Sequence, residues 1–401
     1  MEKNILEQYR LHLNKIYENS QDSHNIYTPL ELCEEMINSL SDLNDNKSIL
    51  VISNLEFLIV LKSKIKLDNV HYTTSCDIKK QVASRLKINP NNIHNLEYNK
   101  EINFGTPENM KFDYVIQNPP YNPNSLWKKF VEKGIDLLND NGQMVVIHPD
   151  SWRISSKHDK LCNHLKEHIS KLHIKQYEIW RDEKVAISTD WYLYNKEKQN
   201  NCTIHYLTGE VETINLKEER KILNIPKNSL PYSILNKICT KENNGIIMLK
   251  GWDEKNNPQI MNGKYKQCGG IGNGTGWIND DYVLTNKPTT HQYNNKVVMS
   301  YAGKPRAKYF NGNEEIGIIK AFYWLTDNKS LPILLNSKMF WKLCCHINDP
   351  QQPFWKPYGT MAGIPGWILR SLNFDKLNVQ TEKELYAHYN LTQEEINWIE
   401  Q

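Results

Sequence analysis

Between about Ser48 and Lys196 short apolar runs alternate with amphipathic stretches, and this alternation narrows the fold more than any other feature of the chain. The runs "SILVISN", "VHYTTSCD", "NIHNLEY", "FDYVIQN" and "QMVVIHP" have the length and the β-branched or aromatic content of strands. "LWKKFVEKGIDLLND" instead sets Leu126, Phe130, Val131, Gly134, Leu137 and Leu138 at helical spacing, with Asn141-Gly142 as its stop. "KLCNHLKEHISK" reads as a further helix, and "KQYEIW" and "AISTDWYLYN" as further strands. Strands alternating with helices predict an α/β fold: a doubly wound, mostly parallel sheet covered on both faces.

A chain of 401 residues exceeds one ordinary core, so two domains are expected. From Lys196 to Gly245 the sequence turns polar and rich in Lys, Glu and Asn, with Pro226 and Pro231, as a linker would. Beyond it glycines cluster at "CGGIGNGTGW" and short strands such as "KVVMSY" appear. The expected division is a catalytic domain over 1–200, a linker over 201–244 and a mixed α+β C-terminal domain over 245–401. No apolar run approaches the roughly 20 residues of a membrane span. The start, "MEKNILEQYRLHLNKIYENS", is too polar for a signal peptide and reads as a short amphipathic helix. Eight cysteines without a Cys-x-x-Cys pair read as reduced thiols of a cytoplasmic protein, and no metal cluster is evident. The net charge of +3 says little about nucleic acid by itself.

Within "FDYVIQNPPYN" an apolar strand ends on Asn118-Pro119-Pro120-Tyr121. Two prolines stop a strand, fix φ and remove two backbone donors. At the carboxyl end of a strand in a doubly wound sheet, such a rigid tip lies where ligands bind. The Asn118 side-chain oxygen and the Pro119 carbonyl are two acceptors for one exocyclic amine, and Tyr121 offers a flat face to a base. The bland alternative is a strand terminator and nothing more.

"DYVIQNPPYN" resembles the catalytic motif of the amino-methyltransferases, and most closely that of the N6-adenine DNA methyltransferases in the gamma order of cofactor segment, catalytic motif and recognition domain. "YTPLELCEEMI", with Tyr27, Thr28 and Pro29, resembles the segment that precedes the cofactor strand in that family. "GQMVVIHPDSWR" resembles the strand and turn after the catalytic helix, and "VAISTDWYLYN" the hairpin that walls the base pocket, with Trp191 as a second wall beside Tyr121. "PILLNSKMFWKL" and "GIPGW" resemble the recognition domain of type IIG restriction–modification enzymes. The resemblance implies a Rossmann-like domain, S-adenosylmethionine as cofactor, double-stranded DNA as substrate with the target adenine flipped out, and a restriction endonuclease as a separate partner.

The chain departs from that pattern after its first strand, where "ILVISNLEFLIVL" has no glycine. Asn54 can take the positive φ of the missing glycine, leaving Ser53 or Glu56 to reach the cofactor's methionine end. Asp77 follows Ser53 by 24 residues, near the spacing of an acid that holds a ribose in βαβ nucleotide sites, and Ile78 can pack on an adenine ring. Glu97, ending the third strand, is a candidate for the adenine amine or simply a solvated acid.

Lys296, Lys304, Arg306 and Lys308 surround "SYAGKPRAKYF" with Tyr301, Tyr309 and Phe310 interleaved, which suits phosphate contact and stacking, or equally a solvated hairpin; the resemblance favours DNA. "GGIGNGTG" lacks the Lys-Ser/Thr of a phosphate loop and reads as a recognition-domain loop. His148-Pro149-Asp150 has no nucleophile context for hydrolysis. The rival readings are methylation of RNA adenine or protein glutamine, and a catalytically inactive DNA-binding or interaction protein that has lost its cofactor turn.

Overall fold

The computed structural model describes residues 28–97, 101–121, 126–154, 159–175, 188–219, 222–240, 244–248, 263–269, 283–288, 291–299, 307–320, 322–348 and 366–401. Two compact units share the chain, Met1–Leu223 and Asn224–Gln401.

The first unit runs α1 (Leu30–Ile37), β1 (Ile49–Ile52), α2 (Leu55–Lys62), β2 (Val70–Thr74), α3 (Asp77–Arg85), β3 (Ile93–Asn95), β4 (Phe112–Gln117), α4 (Leu126–Asp136), β5 (Leu138–Pro149), α5 (Lys160–His168), β6 (Ile169–Lys175), β7 (Thr189–Asn195), β8 (Cys202–His205) and β9 (Val211–Ile214). These strands form one sheet in the order β3-β2-β1-β4-β5-β7-β6-β8-β9. The five strands from β3 to β5 are all parallel, and β7 enters antiparallel between β5 and β6. The expected doubly wound, mostly parallel sheet is therefore present, and its strand order reverses between β1 and β4.

Side chains alternate across the sheet, so each strand feeds two cores. Ile49 and Val51 of β1 join Tyr114 and Ile116 of β4 under α1 and α2, with Leu32, Met36, Leu55, Phe57 and Leu58. Leu50, Ile52 and Val115 face the other way, against Trp127, Phe130 and Val131 of α4 and Leu161 and Leu165 of α5. Burial on both faces explains why β1 and β4 read as continuous apolar runs. α4 lies close against β4 and β5 at Gly134, where a Cβ would stand 2.8 Å from Gln117 Nε2 and 3.0 Å from Met144 Sδ.

Several boundaries differ from the sequence reading. The helix ending near Asn141 stops at Asp136, and Leu138 already pairs with Phe112. A Leu-Leu pair suits either period, and strand pairing decides it. α5 stops at His168, and Ile169–Lys175 is a strand. Most of "KQYEIW" lies outside the described residues, as does the N-terminal segment.

The expected boundary at residue 200 and the linker over 201–244 are not what the structure shows. β8 pairs parallel with β6, β9 closes the edge antiparallel to β8, and Cys202, Ile204, Tyr206, Leu216 and Ile222 are buried in the α4/α5 core. Pro231, read as a linker residue, lies in the first turn of α6 (Leu230–Ile238), where a missing N–H costs nothing; the Ser229 hydroxyl caps that helix.

The second unit is mixed α+β. β10 (Ile247–Met248), β16 (Phe322–Leu325), β13 (Lys296–Met299) and β14 (Ala307–Phe310) form an antiparallel sheet in that order. β12 (Val283–Thr285), β11 (Tyr265–Gly269) and β15 (Ile316–Lys320) form a second, mixed sheet, with β11 antiparallel to β12 and parallel to β15. Helices α7 (Leu331–Asn336), α8 (Lys338–Asn348), α9 (Gly366–Ser371), α10 (Glu382–His388) and α11 (Gln393–Glu400) complete it. No described helix is long and apolar enough to cross a membrane.

Candidate active site

Ligands of doubly wound sheets bind beyond the carboxyl ends of the strands, beside the point where the strand order reverses. Here that point lies between β1, which ends at Ser53-Asn54, and β4, which ends at Asn118. Asn118, Pro119, Pro120 and Tyr121 are all buried. Tyr121 packs in the same apolar cluster as Ile147 and Trp191, and burial pushes its phenol far up, against a small opposing effect of Asn118.

Ser53, not Asn54, supplies the left-handed residue of the glycine-free turn, with φ 65°. Asn54 is extended (φ −95°, ψ 116°) and sits at the N-cap position of α2, without a capping bond from its side chain. The turn is held by short backbone bonds: Ser53 N–H to the Thr73 carbonyl at 2.9 Å, Asn54 N–H to the Ile52 carbonyl at 2.9 Å. The Tyr72 hydroxyl donates to the Ser53 carbonyl at 2.9 Å. A buried non-glycine residue at positive φ is strained backbone that its surroundings must impose.

Thr28 connects this turn to the Asn-Pro-Pro-Tyr tip. Its hydroxyl oxygen accepts from Asn118 Nδ2 at 3.0 Å and from Asn54 Nδ2 at 3.3 Å, and its N–H donates to Glu56 Oε1 at 3.2 Å. Thr28, Asn54 and Glu56 are fully buried. Pro29 forms the N-cap of α1. Tyr27 lies outside the described residues. The Asn118 Oδ1 atom is buried and has no hydrogen-bond partner among the described residues, and the same holds for Trp191 Nε1.

Trp191 lies at the level of Ile147, its cross-strand neighbour, two strands from the β4 end. One face of its indole is covered by His173, with ring centroids 4.0 Å apart. His173 in turn stacks on His205 at 3.9 Å, and its Nδ1 is 2.8 Å from Glu35 Oε1 of α1. The sequence gives no hint of this stack, because its three rings come from β7, β6 and the misread β8.

Asp77 and Ile78 open α3 just past β2 and are exposed; Ile78 keeps 42% of its surface. The Asp77 carboxylate takes a 2.9 Å ion pair from Lys80, whose ammonium also reaches Asn95 Oδ1 at 3.1 Å; Asn95 donates to Glu97 Oε1 at 3.2 Å. The candidate acids at the ends of β2 and β3 thus form one exposed chain of contacts, away from the buried group around Thr28.

Two residues at this edge were missed by sequence reasoning. Asp190 Oδ2, at the start of β7, accepts from Arg153 Nε at 2.6 Å and from Trp152 Nε1 at 3.0 Å. Arg153 spends its other nitrogens on the Ile222 carbonyl at 3.0 Å and on Asp150 at 3.2 Å. Both Arg153 and Asp190 are buried. The signal available was "PDSWR" facing "STDW", two charges of opposite sign in otherwise apolar surroundings.

Lys296 is not the surface cation expected of it. It is fully buried, and its ammonium donates to the carbonyls of His291, Gln292 and Asn294 at 3.0, 3.3 and 2.8 Å. Three carbonyls satisfy the three protons of an ammonium, so this lysine holds a turn. Lys308 is half-buried on β14 with its ammonium 5.3 Å from the Phe310 ring centre. Lys304, Arg306 and Tyr301 lie outside the described residues, as does most of the glycine run. Among the described residues no group of His, Cys, Asp and Glu has the arrangement of a metal site.

No known protein family matches the chain, and no curated protein matches it. Among solved structures, the chain is similar to the methyltransferase subunit of a type I restriction-modification system from Streptococcus thermophilus, at 18% identity and a TM-score of 0.39 over 50% of this chain and 52% of that one. It is similar to a modification subunit of a putative type I restriction enzyme from Vibrio vulnificus at 12% identity and a TM-score of 0.37, over 49% and 50% of the two chains. A putative class I S-adenosylmethionine-dependent methyltransferase from Listeria monocytogenes gives 15% identity and a TM-score of 0.37, over 48% and 68%. The chain spans about half the length of the first two of these structures.

Proposed function

We propose that this chain transfers the methyl group of S-adenosylmethionine to N6 of an adenine flipped out of DNA. The observation that carries the reading is the Asn118 Oδ1 atom: a buried acceptor at the carboxyl end of β4, without a partner among the described residues. An unmet buried acceptor costs on the order of 1–3 kcal/mol, a cost that a ligand's N–H would remove. Two acceptors, this oxygen and the adjoining Pro119 carbonyl, would take both protons of an exocyclic amine and turn its lone pair outward. Tyr121 and Trp191 would flank the ring. No side chain is asked to act as a base, since the proton is released to water once the nitrogen has become cationic.

The residues around the β1 and β2 ends suit the cofactor. Exposed Ile78 beside Asp77 offers an apolar surface for a flat ring next to a carboxylate for ribose hydroxyls. Ser53 keeps the sharp turn that the missing glycine would have made, so the departure in sequence does not remove the turn in space. This favours an enzyme over a relic that has lost its cofactor site. The cofactor supplies the electrophilic methyl group. The unit Asn224–Gln401 would select the DNA sequence, with Lys308 and the Lys304–Arg306 segment on phosphates.

The test is tritium transfer from labelled S-adenosylmethionine to a duplex pool, followed by digestion to nucleosides. Label should appear in N6-methyl-2′-deoxyadenosine, and Asn118→Ala should cut transfer by about 10²-fold or more at unchanged fold. Label in RNA or protein only, or an unaffected Asn118→Ala, overturns the reading.

A further inference from the structure

The amide of Asn118 can serve the proposed reaction in only one of its two orientations. With Oδ1 toward the substrate it accepts from an amine; turned over, it would set an NH2 group against another NH2 group and no bond would form. On its other side lies the Thr28 hydroxyl, toward which the amide turns its nitrogen.

Thr28 Oγ1 lies 3.0 Å from Asn118 Nδ2 and 3.3 Å from Asn54 Nδ2. A hydroxyl could donate its one proton to a single amide oxygen, but accepting from two NH2 groups at once uses both of its lone pairs, and that is the arrangement here. Both amides turn nitrogen toward it, and the Asn118 oxygen consequently points the other way, where it has no partner among the described residues. Thr28 itself is held from two further sides. Its N–H donates to buried Glu56 at 3.2 Å, and its carbonyl accepts from the Cys33 thiol at 3.7 Å.

We infer that Thr28 is a positioning residue that locks the Asn118 side chain with its oxygen toward the substrate amine, and that by sharing one oxygen between Asn118 and Asn54 it ties this lock to the turn after β1. The inference rests on the proposed methyl transfer and deepens it: the methionine-end turn and the base-holding amide become one hydrogen-bonded unit. Thr28 acts through Asn118.

Thr28→Val keeps the shape and removes the lone pairs. It should lower kcat roughly 10- to 100-fold, the scale of a small misplacement in a preorganised site, with KM for DNA changed less than about threefold. Thr28→Ser should restore most of the rate. The decisive background is Asn118→Asp, whose two carboxylate oxygens are equivalent and need no orienting. There Thr28→Val should cost less than about threefold. A readout independent of turnover is the Asn118 side-chain amide in a 1H–15N spectrum, assigned by its loss in Asn118→Asp. Its protons should exchange with solvent about tenfold faster or more in Thr28→Val. Equal rate losses from Thr28→Val in the wild-type and Asn118→Asp backgrounds, or an amide signal that does not respond to Thr28→Val, overturn the inference while leaving methyl transfer standing. A wild-type protein without transfer to DNA overturns both.

Discussion

His148 lies flat on Trp127, with ring centroids 3.9 Å apart and planes 13° from parallel, deep between α4 and the sheet. Its Nδ1 is 2.9 Å from the Pro149 carbonyl, which can only accept, so Nδ1 carries the proton. Nε2 then accepts from the Tyr192 hydroxyl at 2.9 Å. Every polar atom of the ring is used in its neutral form. Burial pushes its pKa down to about 3, against a raising effect of the Pro149 carbonyl, with Lys128 lowering it further. The unfolded chain takes up a proton near pH 6.5 that the folded chain refuses until about pH 3. Stability is thus intact above pH 6.5 and falls as pH drops, by about 1.4 kcal/mol per pH unit for this one group. His71, lowered to about 4 by burial and by His94, adds to the same trend. Denaturant titrations at pH 7 and pH 5 should show the loss, and His148→Gln should flatten the slope by about one proton. An unchanged slope in that variant would show that His148 titrates normally.

The Arg153–Asp190 pair offers a second test. Removing one charge strands the other in the core, whereas replacing both with apolar groups does not. Asp190→Leu should cost about 3–5 kcal/mol, since both Arg153 Nε and Trp152 Nε1 lose their acceptor. Adding Arg153→Met should recover much of that loss. A double variant no more stable than the weaker single one would mean that the pair matters for shape and not for charge. Equilibrium unfolding in urea gives all three values.

Gly134 has no positive φ to justify it, and its reason is space. A side chain there meets Gln117 Nε2 and Met144 Sδ at contact distances that real Cβ atoms avoid. Gly134→Val would force the ends of the buried Gln117 and Met144 side chains to shift and should cost about 1–3 kcal/mol, although valine is the better helix residue at an unhindered position. Because Gln117 precedes Asn118, the variant should also disturb the Asn-Pro-Pro-Tyr tip, visible as faster exchange of the Ile116 and Gln117 backbone amides. A stable Gly134→Val with unaltered exchange would mean that α4 has room to move outward without loosening the strand ends.

The central strands were legible because burial on both faces writes itself into sequence as unbroken apolar runs, and α4 because its one buried face sets apolar residues at helical spacing. The tip at Asn118 was legible because paired prolines leave few alternatives. Three features were hidden, each for a physical reason. The positive φ sits on Ser53 because Asn54 is committed to starting α2, a choice made by the helix and not by residue type. Lys296 looked like a surface cation because sequence shows its charge and not the three carbonyls folded around it. β8 and β9 resembled a linker because they are short, four residues each, and β9 is the edge of the sheet: it buries no residue fully, and polar residues on an edge discourage pairing with other chains.

The misread edge leads to a prediction about where the first unit ends. A fragment stopping at residue 200 would discard Cys202, Ile204, Tyr206, Leu216 and Ile222, all buried in the α4/α5 core. It would also leave the β6 edge unpaired and remove the Ile222 carbonyl from buried Arg153. Each fully buried aliphatic side chain contributes about 1.5–3 kcal/mol, so these losses together approach the whole stability of an ordinary domain. The 1–200 fragment should therefore aggregate or unfold without cooperativity. The 1–223 fragment should unfold in one cooperative transition and, on the proposed function, bind S-adenosylmethionine without sequence-selective DNA affinity. Calorimetry of the two fragments separates the cases: a cooperative 1–200 fragment would make β8 and β9 dispensable additions to the sheet. A 1–223 fragment that selects DNA sequences as well as the full chain, measured by fluorescence anisotropy over a range of salt, would remove the recognition role from Asn224–Gln401.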